Sequence, residues 1–190
     1  MQLKLGLARQ MQGHESSGGA SGSMIECTSV YGNKVRIPKS KLVLRPSVYA
    51  IIVNDGKILL VRSRHGGKYL LPGGGIDTGE RIEVALKREV KEETGIEIDA
   101  LDFAHFQEAF FYYDPLDEGY HGLLFYYFCR PKTLRLLDDT EVDDENAEKP
   151  RWIDIEGLQA YDFQNHGEVI VGCLRSQSAG AQRAGSSLMK

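Results

Sequence analysis

A run of glycines between a predicted strand and a predicted helix constrains the fold of this chain more than any other feature. Residues 72–75, Pro-Gly-Gly-Gly, directly follow the short apolar segment 69–71 and end regular structure there. The next segment, Ile82–Thr94, has helical composition and stops at Gly95, the expected place for a left-handed cap. The sequence therefore predicts a strand, a glycine loop and a helix in immediate succession.

Segments rich in β-forming residues lie on both sides of this unit. Residues 48–53 and 57–61 are short apolar runs, and Asn-Asp-Gly at 54–56 between them favours a hairpin. The other predicted elements are two aromatic-rich strands and a second helix, at 104–113, 123–129 and near 167–174. Strands interleaved with two helices indicate a mixed sheet covered by helices, in the α/β or α+β class.

Composition excludes several classes of protein. Hydrophobic residues make up 42% of the chain, which excludes wholesale disorder. The net charge of −4 gives no general attraction to nucleic acid or to an anionic membrane, so we expect neither as a partner. The longest apolar stretch, 123–129, is far shorter than the roughly 20 residues of a spanning helix. Three widely spaced cysteines favour reduced thiols and a cytoplasmic location.

The two ends of the chain differ from the middle. Residues 13–23 are rich in glycine and serine, and we expect residues 1–24 to form a disordered extension. The alternatives for this end of the chain are an organelle-targeting segment and a short sequence left over from cloning. Residues 176–190 are similarly rich in Ser, Gly and Ala, and we expect a disordered tail. The folded domain is predicted to span residues 25–175.

The predicted helix carries an acidic cluster on the side that turns toward the core. Its apolar residues recur every four positions from Ile82 and form the stripe that a surface helix buries. Glu89, Glu92 and Glu93 are spaced i, i+3, i+4, so they project from one face within one turn. At 100° per residue, Glu93 lies about 20° from Ile82 around the helix axis. The acidic cluster therefore overlaps the buried stripe.

Like charges that are partly buried need a positive partner. Repulsion between the carboxylates and their desolvation cost roughly several kcal/mol per ion. A bound cation can offset this cost. Clustered oxygen ligands suit Mg²⁺, with Mn²⁺ as the alternative, and no nearby nitrogen or sulfur favours zinc. The other interpretation is a solvated acidic face that is neutralised by Lys87, Arg88 and Lys91.

The glycine run and the helix together resemble a known motif. Gly74, five residues, Glu80, seven residues and then Arg-Glu-Val-Lys-Glu-Glu-Thr-Gly-Ile at 88–96 resemble the Nudix box of the Nudix hydrolases. The resemblance implies the family's fold, an α/β/α sandwich around a mixed sheet. It also implies a magnesium-dependent pyrophosphohydrolase, in which water attacks a phosphorus atom of a nucleoside diphosphate linked to another group. A nucleoside triphosphate or a dinucleoside polyphosphate is the favoured substrate.

The same resemblance implies roles for individual residues. Glu89, Glu92 and Glu93 resemble the family's ligands for Mg²⁺ or Mn²⁺, with the Gly74 carbonyl as a further ligand. Arg88 resembles the cation that orients a glutamate. Glu89 and Glu93 are the candidate general bases within the motif. The alternative is an acid from residues 138–148, where Glu145 and Glu148 are the best candidates to reach the metal.

Substrate-binding residues are predicted on both sides of the motif. Arg62 and Arg64 precede the glycine run, near His65 and Lys68, and are candidates to bind phosphates. A polar hairpin surface explains them equally well. Tyr112 and Tyr113 lie near where the diadenosine polyphosphate hydrolases of the family place a tyrosine. They are candidates to stack on a base, although an aromatic strand would also account for them.

Two other functional classes compete with hydrolysis. The first is a nucleotide-binding regulatory module that has the same fold and little turnover, although such modules usually have a broken motif. The second is an isomerase on this fold, which would need a cysteine near the motif in sequence. A homodimer is the partner that we consider besides the nucleotide.

Overall fold

The computed structural model describes residues 22–142, residue 144 and residues 147–187, with side chains as far as residue 177. The strands are β1 Met24–Ser29, β2 Lys34–Pro38, β3 Val43–Asn54, β4 Lys57–Ser63, β5 Tyr69–Leu70, β6 Gly73–Gly75, β7 Ile98–Tyr113, β8 Glu118–Pro131 and β9 Ala147–Asp154. The helices are α1 Ile82–Thr94 and α2 Gly167–Ser187.

Within the described residues, the strands form one mixed sheet. Its order is β2-β1-β7-β8-β3-β4-β5, while β6 pairs with β3 and β9 pairs with β4. The pairs β1–β7 and β3–β8 are parallel, and β7–β8 and the two pairings of β6 and β9 are antiparallel. Strand β6, which is the glycine run, therefore lies beside the long central strand β3.

The two helices cover opposite faces of this sheet. Side chains alternate along β3, so Val48 and Ala50 pack in the cluster that contains Leu86 of α1. Ile51, on the other face, packs in the cluster that contains Ile170 of α2. The expected α/β/α sandwich around a mixed sheet is confirmed.

Local predictions around the glycine run are also confirmed. Helix α1 has the predicted bounds, and its C-cap Gly95 has the left-handed φ of +77°. Asp55 and Gly56 turn between β3 and β4 with positive φ angles of 46° and 73°, as a tight hairpin requires. The hairpin β1–β2 was missed by the sequence analysis, although the alternation of polar and apolar residues in Lys34–Pro38 is a strand signal.

The ends of the domain differ from the prediction. Residues 1–21 of the expected extension lie outside the described residues. The domain begins before Ile25, because β1 starts at Met24 and the Ser23 carbonyl accepts a hydrogen bond from Lys39 N–H at 2.9 Å. Helix α2 continues to Ser187, past residue 176, where the tail was predicted to begin.

Neither helix in the described part of the chain combines the length and the apolar character needed to cross a lipid bilayer.

Candidate active site

The glycine run brings backbone within contact of helix α1. A Cβ atom on Gly74 would lie 2.7 Å from Oε2 of Glu89, so a side chain there would displace the Glu89 carboxylate. Gly73 has a φ of +143°, and its Cβ would lie 2.2 Å from the Val48 carbonyl oxygen. Gly73 therefore requires glycine, because any side chain there would meet the backbone of β3 in a conformation that L-residues rarely adopt.

The three carboxylates of α1 differ in burial. Glu93 is buried, with 5% of its surface exposed. The Glu89 side chain is 14% exposed and the Glu92 side chain 42% exposed. Glu93 lies on the same face as the core residues Leu86 and Val90, so the predicted overlap of acidic cluster and apolar stripe is confirmed.

Glu93 is held by the glycine run. The backbone N–H of Gly73 donates a hydrogen bond of 2.9 Å to Oε2 of Glu93. Burial raises the pKa of Glu93 well above its usual range, the charge of Asp144 raises it further, and the Gly73 hydrogen bond opposes both effects. Among the described side chains, no lysine or arginine forms an ion pair with Glu93. This buried carboxyl group therefore has a backbone donor and, among the described side chains, no cationic partner.

Arg88 organises the other acids of the site. Its guanidinium donates two hydrogen bonds to the Glu80 carboxylate, at 2.9 and 2.8 Å. It also donates to Glu89 at 2.6 Å, to Glu92 at 3.3 Å and to the Gly75 carbonyl at 3.2 Å. Burial raises the pKa of Glu89, and the bond from Arg88 counteracts this shift. Arg88 therefore fixes the helix, the preceding loop and the glycine run to one another.

The carboxylates do not converge on a single point. Within the described ranges, no group of three His, Cys, Asp or Glu side chains is assembled closely enough to hold a metal ion. The guanidinium of Arg88 bridges Glu89 and Glu92, and Glu93 points to the backbone of Gly73. Side-chain rotation is needed before all three carboxylates can bind one cation.

The strand register contradicts the predicted role of the Gly74 carbonyl. The N–H of Ala50 donates to the Pro72 carbonyl at 2.9 Å, and the N–H of Ile76 donates to the Pro46 carbonyl at 3.0 Å. Hydrogen-bonded pairs alternate along an antiparallel ladder, so the pair that contains Gly74 is also a hydrogen-bonded one. Both backbone groups of Gly74 therefore point toward β3 and away from α1.

Gly73 and Gly75, the neighbours of Gly74, point the other way. They occupy the intervening pairs of the ladder, in which backbone groups face away from the partner strand. Two hydrogen bonds agree with this direction, since Gly73 N–H donates to Glu93 and the Gly75 carbonyl accepts from Arg88. The backbone edge that faces the carboxylates consists of Gly73 and Gly75.

The acidic segment 138–148 contributes Asp144 to the site. The charge of Asp144 raises the pKa of Glu93 and, to a smaller extent, that of Glu89, and its Oδ1 accepts a hydrogen bond of 2.7 Å from Ala147 N–H. Glu148 instead pairs with Arg64 at 3.1 Å. Glu145 lies outside the described residues. Asp144 was not predicted as a site residue, because nothing in a run of seven acids distinguishes the one whose charge acts on Glu93.

The two arginines predicted to bind phosphate both bond to the protein. Arg64 Nε donates to the carbonyls of Asp144 at 2.9 Å and Ala147 at 3.1 Å, next to the pairing of Ser63 with Ala147 between β4 and β9. Arg62 donates to the Gly67 carbonyl at 2.9 and 2.7 Å. Arg64 thus anchors the acidic segment, and Arg62 closes the turn between β4 and β5.

The two tyrosines predicted to stack on a base lie at the end of β7. The hydroxyl of Tyr112 donates to Asp117, and the hydroxyl of Tyr113 lies 3.1 Å from Nε2 of His65. The structure therefore brings together the glycine run, Arg88 and the three carboxylates. It gives the two tyrosines contacts with the β7–β8 turn and with His65 instead.

Comparison with known proteins tests the resemblance independently. The NUDIX domain model matches residues 43–171, which include every element of the site described above. The chain belongs to the NUDIX family. The matched region runs from β3 into α2 and leaves the β1–β2 hairpin outside it.

Two curated relatives match a short part of the NUDIX domain. An ADP-ribose pyrophosphatase of Methanocaldococcus jannaschii is 43% identical over 65 residues, which are 32% of this chain and 38% of the relative. The nucleoside triphosphatase NudI of Escherichia coli is 46% identical over 56 residues, which are 27% of this chain and 40% of the relative. The chain thus spans well under two thirds of the length of these relatives.

Solved structures match a larger share of the NUDIX domain. The match to a NUDIX hydrolase from Nitrosomonas europaea covers 84% of this chain and 89% of that hydrolase, with a TM-score of 0.57 and 14% sequence identity. The MutT NUDIX hydrolase from Burkholderia pseudomallei covers 61% of this chain and 87% of its own, with a TM-score of 0.51 and 26% identity. These likenesses support the shared fold.

Proposed function

We propose that this protein is a magnesium-dependent pyrophosphohydrolase, which cleaves a nucleoside diphosphate linked to another group. The observation that carries the proposal is Glu93, a buried carboxyl group whose pKa is raised by burial and by the charges of Asp144 and Glu89, and which pairs with no described basic side chain. Keeping such a group ionised inside the protein costs roughly several kcal/mol, which a positive partner offsets. A divalent cation carried with the substrate provides that partner.

The donor chemistry of the site fits magnesium. Glu89, Glu92 and Glu93 offer only oxygen, as Mg²⁺ and Mn²⁺ prefer. The carbonyl of Gly73 replaces that of Gly74 as the backbone candidate, because Gly73 faces the helix. When bound there, the ion neutralises phosphate charge and lowers the pKa of water.

The protein's own residues have separate tasks in this proposal. Arg88 orients Glu89 through a 2.6 Å hydrogen bond and touches no substrate. Glu93 is the proposed general base, because its raised pKa makes it a stronger base than an exposed glutamate. Among the described acids of segment 138–148, Asp144 is the one that we add to the ligand set.

The proposed substrate is a nucleoside triphosphate or a dinucleoside polyphosphate. The names of the relatives include both an ADP-ribose pyrophosphatase and a nucleoside triphosphatase. These relatives therefore support the type of reaction more strongly than they support any single substrate. We further propose a cytoplasmic location, since Cys27, Cys129 and Cys173 are free thiols. The homodimer remains a prediction.

A metal-dependent substrate screen tests the proposal. The protein is incubated with nucleoside triphosphates, nucleotide sugars, ADP-ribose and dinucleoside polyphosphates, in ¹⁸O-enriched water and with Mg²⁺, Mn²⁺ or EDTA. Products are identified by mass. We expect a nucleoside monophosphate or its partner product to carry one ¹⁸O atom, to require metal and to disappear with EDTA.

The Glu92→Gln variant provides the inactive control for this screen. It should lower turnover by about a hundredfold, as loss of a main electrostatic group does, while the exposed position leaves the fold intact. Tight nucleotide binding without any cleaved product under either metal would overturn the proposal. That result would favour the regulatory module instead.

A further inference from the structure

Strand β7 presents large apolar side chains that the rest of the domain leaves uncovered. Leu101, Phe103 and Phe106 are each between 45% and 54% exposed. The rings of Phe103 and Phe106 lie against those of Tyr127 and Phe125 on β8, with centroids 5.5 and 5.3 Å apart. Tyr127 and Phe125 in turn pack against the core cluster under α1. These five residues, which we call the β7 patch, therefore lie on the α1 side of the sheet.

A groove separates the β7 patch from helix α1. It has a volume of about 330 Å³ and is lined by Ile82, Glu83, Leu86, Ala100, Leu101 and Tyr127. A bulge in β7 inserts Leu101, so that Ala100 and Leu101 both line the groove. Phe103 lies against Tyr127, which forms one wall. A protruding aromatic ring and an apolar groove are therefore neighbours on one surface.

The edge of β7 is poorly suited to the addition of a further strand. Among the described residues, β1 pairs with β7 only at Phe111 and Tyr112, so residues 98–110 have no strand partner on that side. Two register shifts interrupt β7 between Ala100 and His105. Bulges twist a strand edge and break its row of hydrogen-bonding groups. We therefore expect a partner to contact the side chains of the patch and not the backbone of the edge.

The area of the β7 patch suffices for an interface between two copies. A large aromatic side chain offers roughly 150–250 Å², so three half-exposed residues and the visible parts of Tyr127 and Phe125 amount to about 400 Å². Two such patches would bury about 800 Å² of apolar surface, which at about 60% apolar character corresponds to an interface of about 1,300 Å². Specific, stable interfaces begin at about 1,200 Å².

The shape of this surface is complementary to itself. In a two-fold dimer, every contact between two different residues occurs twice, once in each direction. A surface that carries both a protruding ring and a groove can therefore place each ring in the groove of the other copy. Charge does not oppose this arrangement, because Glu83 at the groove is paired with Lys87 of the same helix at 2.6 Å.

We propose that the β7 patch is the interface of a two-fold homodimer, in which the Phe103 ring of each copy enters the groove between α1 and β7 of the other. Aromatic residues near the centre of an interface carry most of its binding energy. Phe103, beside the groove, is therefore the main contact, and Phe106 is a secondary one. The inference does not depend on the proposed function, because the patch contains none of the carboxylates assigned to catalysis.

Sedimentation velocity of the full chain tests this interface. We expect the wild type to change from monomer to dimer between about 1 and 100 μM, since interfaces near the lower size limit bind at the weak end of the known range. Phe103→Ser should weaken association by about tenfold or more, and Phe106→Ser by less. Tyr161→Ser is the matched control and should change nothing. Tyr161 is an exposed aromatic residue in the short helix Ala160–Asp162, which packs against α2 on the opposite face.

Two outcomes would overturn this inference. The first is a wild type that stays monomeric over the whole range, whether residues 1–21 of the same chain or a different protein then cover the patch. The second is a dimer that Phe103→Ser leaves as tight as the wild type, because its interface would lie elsewhere. Urea unfolding shows whether each variant folds. If Phe103→Ser does not fold, Phe103→Leu replaces it, and undiminished association of that variant would also refute the contact of the ring with the groove.

Discussion

Replacing Glu93 by glutamine should stabilise the protein while it inactivates it. Glu93 is 5% exposed, and its only described donor is the N–H of Gly73 at 2.9 Å. Glutamine has the same shape, keeps a carbonyl oxygen for that hydrogen bond and removes the buried charge. The substitution therefore separates the electrostatic cost of the site from its packing.

The size of the effect follows from two opposing contributions. A buried carboxylate without a cation costs several kcal/mol of folding free energy, roughly. The hydrogen bond from Gly73 becomes weaker by about 1 kcal/mol when its acceptor is neutral. We therefore expect the metal-free Glu93→Gln protein to be more stable than the wild type by about 1–3 kcal/mol at neutral pH.

The gain should depend on pH in a defined direction. The pKa of Glu93 is raised on folding, so the folded wild type binds more protons than the unfolded chain. The contribution of Glu93 to the stability of the wild type is thus fully present below about pH 4.5 and is lost as the pH rises through the raised pKa. Glutamine does not titrate, so the advantage of Glu93→Gln should grow from pH 5 to pH 8.

Urea unfolding of the metal-free protein at both pH values measures this difference. Glu92→Gln is the matched control, because its side chain is 42% exposed and its removal should change stability by less than about 0.5 kcal/mol. An advantage for Glu93→Gln that is absent, or that is equal at pH 5 and pH 8, would refute the argument from burial. Saturating Mg²⁺ should stabilise the wild type more than the variant.

Three other outcomes follow from contacts of the site. Asp144→Asn should lower kcat by about a hundredfold under saturating Mg²⁺; wild-type kinetics would remove Asp144 from the site. Arg64→Ala should accelerate amide hydrogen exchange at the start of β9, while Arg62→Ala, which affects another turn, should not. Gly73→Ala should destabilise the protein by about 2 kcal/mol in urea unfolding, because its Cβ would meet the Val48 carbonyl, whereas Gly172→Ala, in open space on α2, should stabilise it by about 0.5–1 kcal/mol.

The features that the sequence predicted correctly depend on neighbours along the chain. Helix α1 and its cap at Gly95 follow from a periodic pattern and one glycine. The shared face of Glu89, Glu92 and Glu93 follows from the pitch of a helix alone. The relation of Arg88 to Glu89 is local as well, since both lie in α1 and a hydrogen bond of 2.6 Å joins them.

The rest of the site depended on which distant strands pair. The direction of the Gly73 and Gly74 carbonyls is set by the register of β6 on β3, and a one-residue shift would reverse it. The charge of Asp144 acts on Glu93 because β9 pairs with β4 and Arg64 holds the segment that precedes β9. The spacing of residues in the sequence does not predict these pairings. Contacts between strands far apart in the chain form only when the whole sheet buries its two apolar faces. The sequence by itself determined the helix and its acidic face, and the tertiary structure decided which backbone edge and which distant acid meet it.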